Sequence, residues 1–124
     1  MATDVIPEDV RDFISTHIDS VAQLEALLLL RANSTESWDA ARTAGRLYTS
    51  ETEIKAVLTQ LCASGLLSCT NDLFRYECPP ETKIAVDRLA DAYSHYLIPV
   101  TNAIHAKSRR IREFANAFKF RKDQ

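Results

Sequence analysis

At 124 residues and 14.0 kDa the chain fits one domain around one core, because two cores of half that size would each be marginal. A composition of 46% hydrophobic and 26% charged residues excludes a disordered chain, and two glycines with four prolines exclude a many-stranded sandwich in favour of long helices. The net charge of -2 is unevenly spread: residues 1–40 carry two arginines against eight carboxylates, whereas residues 107–124 carry seven basic groups against two acidic ones.

That asymmetry suits head-to-tail packing, self-association or a polyanionic partner. No apolar run approaches the roughly 20 residues that span a bilayer, since Leu27-Leu28-Leu29-Leu30 is bracketed by Glu25 and Arg31. The first residues, with Asp4, Glu8 and Asp9, lack the basic start and apolar middle of a signal peptide. A cytoplasmic protein without a membrane partner is therefore expected. Cys62, Cys69 and Cys78 form neither an even disulfide framework nor a C-x-x-C pair, and read as small buried free thiols in a reducing compartment.

Pro7 followed by Glu8 and Asp9 opens a first helix to about Thr16, with Val10, Phe13 and Ile14 as its apolar stripe. Asp19 or Ser20 caps a second helix, apolar around most of its circumference through Val21, Leu24, Leu27 and Leu28, which makes it the central core helix. Asn33-Ser34-Thr35 breaks the pattern, and Asp39 after Trp38 caps a short third helix to about Leu47, with Ala40, Ala44 and Leu47 turned inward. Ser50 with Glu53 three residues on has capping-box form. A fourth helix starts there, buries Ile54, Val57, Leu58 and Leu61, and ends at Gly65.

Beyond Gly65 the period becomes alternating over Leu66 to Cys78, with Asn71-Asp72 as the turn of a hairpin. Pairing Thr70 with Leu73 sets Cys69 opposite Phe74 and Leu67 opposite Tyr76, so Leu67, Cys69, Phe74, Tyr76 and Cys78 share the face expected to be buried. Cys78 is then on the order of 13 Å from Cys69, too far for a disulfide. Pro79-Pro80 stops the strand, and a helical pattern runs from Glu81 through Ile84, Leu89, Ala92, Tyr93, Tyr96, Leu97, Val100 and Ile104. Pro99 predicts a kink near Tyr96, or two helices meeting there. Ile111, Phe114, Ala115 and Phe118 mark a final amphipathic basic helix.

Helix, short helix, tight turn, helix and hairpin form the order of a winged helix-turn-helix. Residues 38–77, above all Ala44, Leu47, Ser50, Ile54, Val57, Leu58, Leu61 and the Gly65-Leu66-Leu67 exit, resemble the winged-helix module of MarR-type bacterial regulators. The carboxyl end, from Arg110 to Phe118 and then Arg121-Lys122, is similar to a group of short bacterial winged-helix proteins, a likeness that names no activity. The expected fold is mainly α: an N-terminal helix over 1–18, a winged helix-turn-helix with a two-stranded wing over 19–79, and a helical extension over 80–124. In MarR-type proteins the terminal helices form the dimer interface, so the resemblance implies a homodimer and a transcription regulator that binds double-stranded DNA.

On that reading Thr52, Lys55, Thr59 and Gln60 reach bases, while Arg42, Arg46 and Arg75 hold phosphates. Glu51 and Glu53 weaken the electrostatic case, because carboxylates in the first turn repel the backbone they approach. A module that keeps the fold but binds a protein partner is the alternative. Ile111, Phe114 and Phe118 are the candidate association residues, to be buried against the acidic N-terminal region or a second subunit.

Catalysis finds no support. His17, His95 and His105 are far apart and begin no metal-ligand pattern, the only glycines are Gly45 and Gly65, and no nucleophile has a base nearby in sequence. No enzyme activity, catalytic residue, cofactor or metal is expected.

Overall fold

In the computed structural model, which describes residues 6–122 and the side chains of residues 6–116, the chain forms six helices and one hairpin. The helix α1 (Glu8–His17) begins after Pro7, has Glu8 and Asp9 in its first turn and buries Val10, Phe13 and Ile14. Ser20 caps α2 (Val21–Ala32) by accepting from the Gln23 amide at 3.1 Å, and Leu24, Ala26, Leu27 and Leu30 of this helix are fully buried. The Asp39 carboxylate likewise accepts from the Arg42 amide at 2.7 Å to open α3 (Ala40–Leu47). Ala40 and Ala44 of that helix are buried, as is Thr43, whose hydroxyl donates to the Asp39 carbonyl.

Ser50 opens α4 (Glu51–Ala63) by accepting from the Glu53 amide at 3.1 Å. Only half of the capping box closes, because the Glu53 carboxylate takes the Thr49 hydroxyl at 2.9 Å. Gly65, at φ +82°, supplies the left-handed residue after α4 that any Cβ would strain. The strands β1 (Leu67–Thr70) and β2 (Leu73–Tyr76) pair antiparallel in the expected register, Leu67 with Tyr76, Cys69 with Phe74 and Thr70 with Leu73. Asn71 and Asp72 both have positive φ, the requirement of the tight hairpin turn whose twist matches the strands.

Three features of the wing correct the sequence reading. Trp38 forms a third rung, exchanging two 2.7 Å backbone hydrogen bonds with Phe74, so the hairpin is extended by a one-residue bridge before α3. Cys69 is exposed rather than buried, although Phe74 opposite it is in the core, so the core covers the β2 side of this rung and leaves the β1 side open. Cys62 and Cys69 are joined by a disulfide across a Cα separation of 6.3 Å, and only Cys78 is a free thiol among the described residues. Spacing had hidden this pair, since one partner lies on a helix and the other on a strand.

Pro80, expected to stop the strand, also starts α5 (Pro80–His95), since the first helical position needs no N–H. The break falls at Tyr96, and α6 (Leu97–Lys122) follows with Pro99 in its first turn. Val86, Leu89 and Ala92 of α5 and Val100 and Ile104 of α6 are buried, whereas Ile84, Tyr96 and Leu97 face outward with Ile98. One core cluster takes residues from α1 to α6 and both strands. Among the described residues no single helix is long and apolar enough to cross a membrane; α1 and α2 qualify together by length and composition, but they are bent by 105° and carry core residues.

Ion pairs tie the extension to α1 and to the module. Arg31 of α2 meets Asp87 of α5 at 2.9 Å, and Arg88 of α5 holds Asp9 of α1 through both carboxylate oxygens. The Arg88 guanidinium keeps the Asp9 carboxyl below its ordinary pKa. The half-buried Lys107 of α6 reaches back furthest: its ammonium lies 2.7 Å from the Asp19 carboxylate and donates to the carbonyls of Ile14 and Ile18, each at 3.1 Å. A cation is thereby seated at the negative end of α1. His17, in the same last turn, packs on Phe13 and shares a 3.0 Å hydrogen bond with the Ser64 hydroxyl. Burial, and then the Lys107 charge, lower its pKa despite the favourable helix end.

Candidate nucleic-acid interface

The geometry of the helix-turn-helix follows from two caps and a tight turn. The helix α3 stops at Tyr48, which adopts a left-handed conformation (φ 57°, ψ 46°), and the chain re-enters a helix at Ser50. That conformation costs a bulky residue about 1 kcal/mol or more relative to glycine. The Tyr48 ring recovers nothing by burial, being 95% exposed immediately before the N-terminus of α4. The sequence placed the turn here but gave the tyrosine no role, because turn chemistry favours glycine and says nothing of a strained aromatic.

With Ile54, Leu58 and Leu61 sealed in the core and Val57 nearly so, the opposite face of α4 is open. Thr52, Lys55 and Thr59 lie together there with Glu51 and Ala56, lining a shallow concavity of about 690 Å³. The Thr59 hydroxyl donates to the Lys55 carbonyl at 2.8 Å, which leaves its oxygen able to accept. Gln60 does not join this stripe. Its side-chain oxygen accepts from Gln23 of α2 at 2.6 Å, satisfying a polar group buried between the two helices.

Every cation named from the sequence is engaged within the module. The Lys55 ammonium stands 4.0 Å from Asp72 at the tip of the wing, linking α4 to the hairpin turn. Arg42 pairs with Glu36 at 2.7 Å and lies over the Trp38 ring, 3.7 Å from its centroid; Arg46 approaches the same ring at 5.6 Å. Arg75 donates to the Ser34 carbonyl at 3.1 Å. Trp38 thus organises two of the three arginines, a role the sequence did not disclose because only its position before a cap was legible. The two acidic partners, Glu36 and Asp72, are exposed, and an exposed ion pair is worth about 0–1 kcal/mol, so a phosphate can displace either carboxylate at small cost.

No protein-family model matches the sequence, and no curated protein is similar to it. Among solved structures, Sco5413, a MarR family transcriptional regulator from Streptomyces coelicolor, superposes with a TM-score of 0.51 at 20% identity, over 94% of this chain and 89% of that one. The chain has a MarR-like winged-helix fold. The superposition runs beyond the 38–77 module that carried the sequence resemblance and takes in the N-terminal helices and the long extension. At this level of identity the likeness is one of architecture, which does not carry an activity with it.

Of the association residues, Ile111 and Phe114 are 53% and 73% exposed on α6, and the side chain of Phe118 lies outside the described residues. Neither described side chain is buried against the acidic N-terminal region. That region is met earlier along the helix, by Lys107 and by Ser108, whose hydroxyl donates to the Asp19 carbonyl at 2.7 Å. Among the described residues no group of three or more His, Cys, Asp or Glu is placed to hold a metal ion.

Proposed function

We propose that the protein is a DNA-binding transcriptional regulator of winged-helix type, binding without catalysis or a cofactor. The observation that carries this reading is the open stripe of Thr52, Lys55 and Thr59 on a helix flanked by a wing, in the architecture of a MarR family regulator. Threonine hydroxyls and a lysine suit base edges in a major groove, while Arg42, Arg46 and Arg75 beside them suit phosphates. Gln60, exposed on the same helix, gives its side-chain oxygen to Gln23 and keeps its amide N–H groups as donors for a base edge. Fluorescence anisotropy with labelled duplex tests the proposal: affinity is expected to fall steeply between about 50 and 200 mM salt, and Arg46→Ala to lower the salt slope by about one. Absence of salt-dependent binding to any duplex would favour the second reading, a module for a protein partner, for which Glu51 and Glu53 at the head of α4 speak.

The same proposal includes a homodimer through the extension, in the cytoplasm. Tyr96, Leu97 and Ile98 at the α5–α6 junction, Ile84 near the start of α5, and Ile111 and Phe114 on α6 are large apolar side chains left exposed on these two helices. A symmetric pair would cover them and set two reading helices at a half-site spacing. In sedimentation the intact chain is expected to run as a dimer, and an Ile111→Glu/Phe114→Glu double variant at half that mass with unchanged thermal stability of the fold. A monomeric intact chain would remove the symmetric arrangement.

A further inference from the structure

The Cys62–Cys69 bond joins the two parts of the module that face outward together. Cys62 sits in the last turn of α4, and Cys69 on β1, one residue before the strand ends at the wing tip. The bond closes a short loop, with a sequence separation of 7, whose course is already set by the Gly65 turn and by the Leu66 amide donating to the Leu61 carbonyl at 3.1 Å. Loop-closure entropy grows with loop length, so a bond across so short a loop constrains the unfolded chain less than a long-range disulfide would, about 2.5 kcal/mol against nearly 5 for a loop of about 100 residues. The bond is well placed for something more local, because the only other side-chain tie from α4 to the wing tip is the loose Lys55–Asp72 pair among the described residues.

We propose that Cys62 and Cys69 form a reversible thiol–disulfide clamp that fixes the wing against α4, the reading helix of the function proposed above, when oxidised and releases it when reduced, exchanging with small thiols and disulfides of the glutathione type. Accessibility fits this chemistry: Cys69 is exposed and Cys62 half-exposed, and exposed disulfides are the labile ones. A thiolate attacks the Cys69 sulfur, forming a mixed disulfide there and expelling Cys62 as thiolate; a second thiolate takes the small thiol off Cys69 as the free disulfide. Both protein sulfurs end reduced and two small thiols end joined as one disulfide, so electrons balance. The reverse sequence, begun by Cys62 or Cys69 on a small disulfide, closes the clamp. Cys78 stands apart from this exchange, since it lies beyond the Leu67–Tyr76 pair at the far end of the hairpin and burial pushes its thiol pKa up.

The test uses the full chain equilibrated in glutathione buffers from reduced to oxidised, quenched with an alkylating reagent and mapped by mass spectrometry. Labelling of Cys62 and Cys69 is expected to be lost together towards the oxidised end, with a peptide linking the two, and to return together towards the reduced end. Independent labelling throughout, or a separate glutathione adduct on each cysteine, would overturn the pairing; a bond that persists at the reduced end would overturn its reversibility. Hydrogen exchange on the same samples reads the clamp: amides of 66–76 are expected to exchange more slowly when oxidised, whereas equal rates would sink the mechanical role. A Cys78→Ser variant should behave as the native chain in both measurements. Neither readout involves nucleic acid, so failure of DNA binding and failure of the clamp are separately visible.

Discussion

Trp38→Ala is expected to cost about 3–5 kcal/mol of folding stability, the range for emptying a large aromatic from a packed core. Such a loss is a fifth or more of what a domain of this size typically holds, about 5–15 kcal/mol. The side chain is fully buried, its backbone carries the bridge to Phe74, and its ring lies under Arg42 and Arg46, so one substitution loosens the core, the wing and the placement of two candidate phosphate ligands. Urea unfolding followed by circular dichroism measures the stability. Trp38→Phe provides the contrast. The indole Nε1 is buried without a hydrogen-bond partner among the described residues, so phenylalanine sheds an unsatisfied donor that itself costs about 1–3 kcal/mol while giving up part of the ring. The phenylalanine variant should therefore lose well under half of what the alanine variant loses. Equal losses would mean that the indole N–H finds a partner in solution and that its removal relieves nothing.

Local rules carried the architecture a long way. Caps at Ser20, Asp39 and Ser50, the Gly65 exit and the Asn71-Asp72 turn each lie within a few residues of what they control, and the hairpin register follows from that turn alone. The misses share a different physical character: each depends on residues that are distant in sequence or on different kinds of element. The Trp38–Phe74 bridge spans a whole helix-turn-helix, Gln60 answers to Gln23 on α2, and Cys62 meets Cys69 only because a helix and a strand diverge from the same glycine turn. Periodicity describes which face of an element is apolar, not which polar atom on another element it will meet. Hence the stripe Thr52, Lys55 and Thr59 was legible from the helix face, while the internal partners of Arg42, Lys55 and Arg75 were not.

Lys107→Met should destabilise the fold by about 2–3 kcal/mol, the scale of losing charge-assisted hydrogen bonds from a partly enclosed site. Methionine keeps most of the stem's packing, so the loss reports the ammonium: its 2.7 Å pair with Asp19 and its bonds to the carbonyls of Ile14 and Ile18. The Ile14 carbonyl retains the Ile18 amide as a donor, which limits the penalty. His17 gives an independent reading of the same charge. Its pKa lies below the ordinary 6.5, first through burial and then through Lys107, so the native state disfavours the proton that the unfolded chain accepts. That contribution to stability is complete above pH 6.5 and is lost as the pH falls through the lowered native value. In Lys107→Met the His17 titration, followed by NMR, should move up towards 6.5 without reaching it, because burial remains the larger cause, and the acid-side loss of stability should shrink accordingly. A variant that loses stability while His17 titrates unchanged would show that the ammonium acts through Asp19 and the carbonyls alone. A variant with neither change would mean that the seat of α6 on the end of α1 does not depend on Lys107.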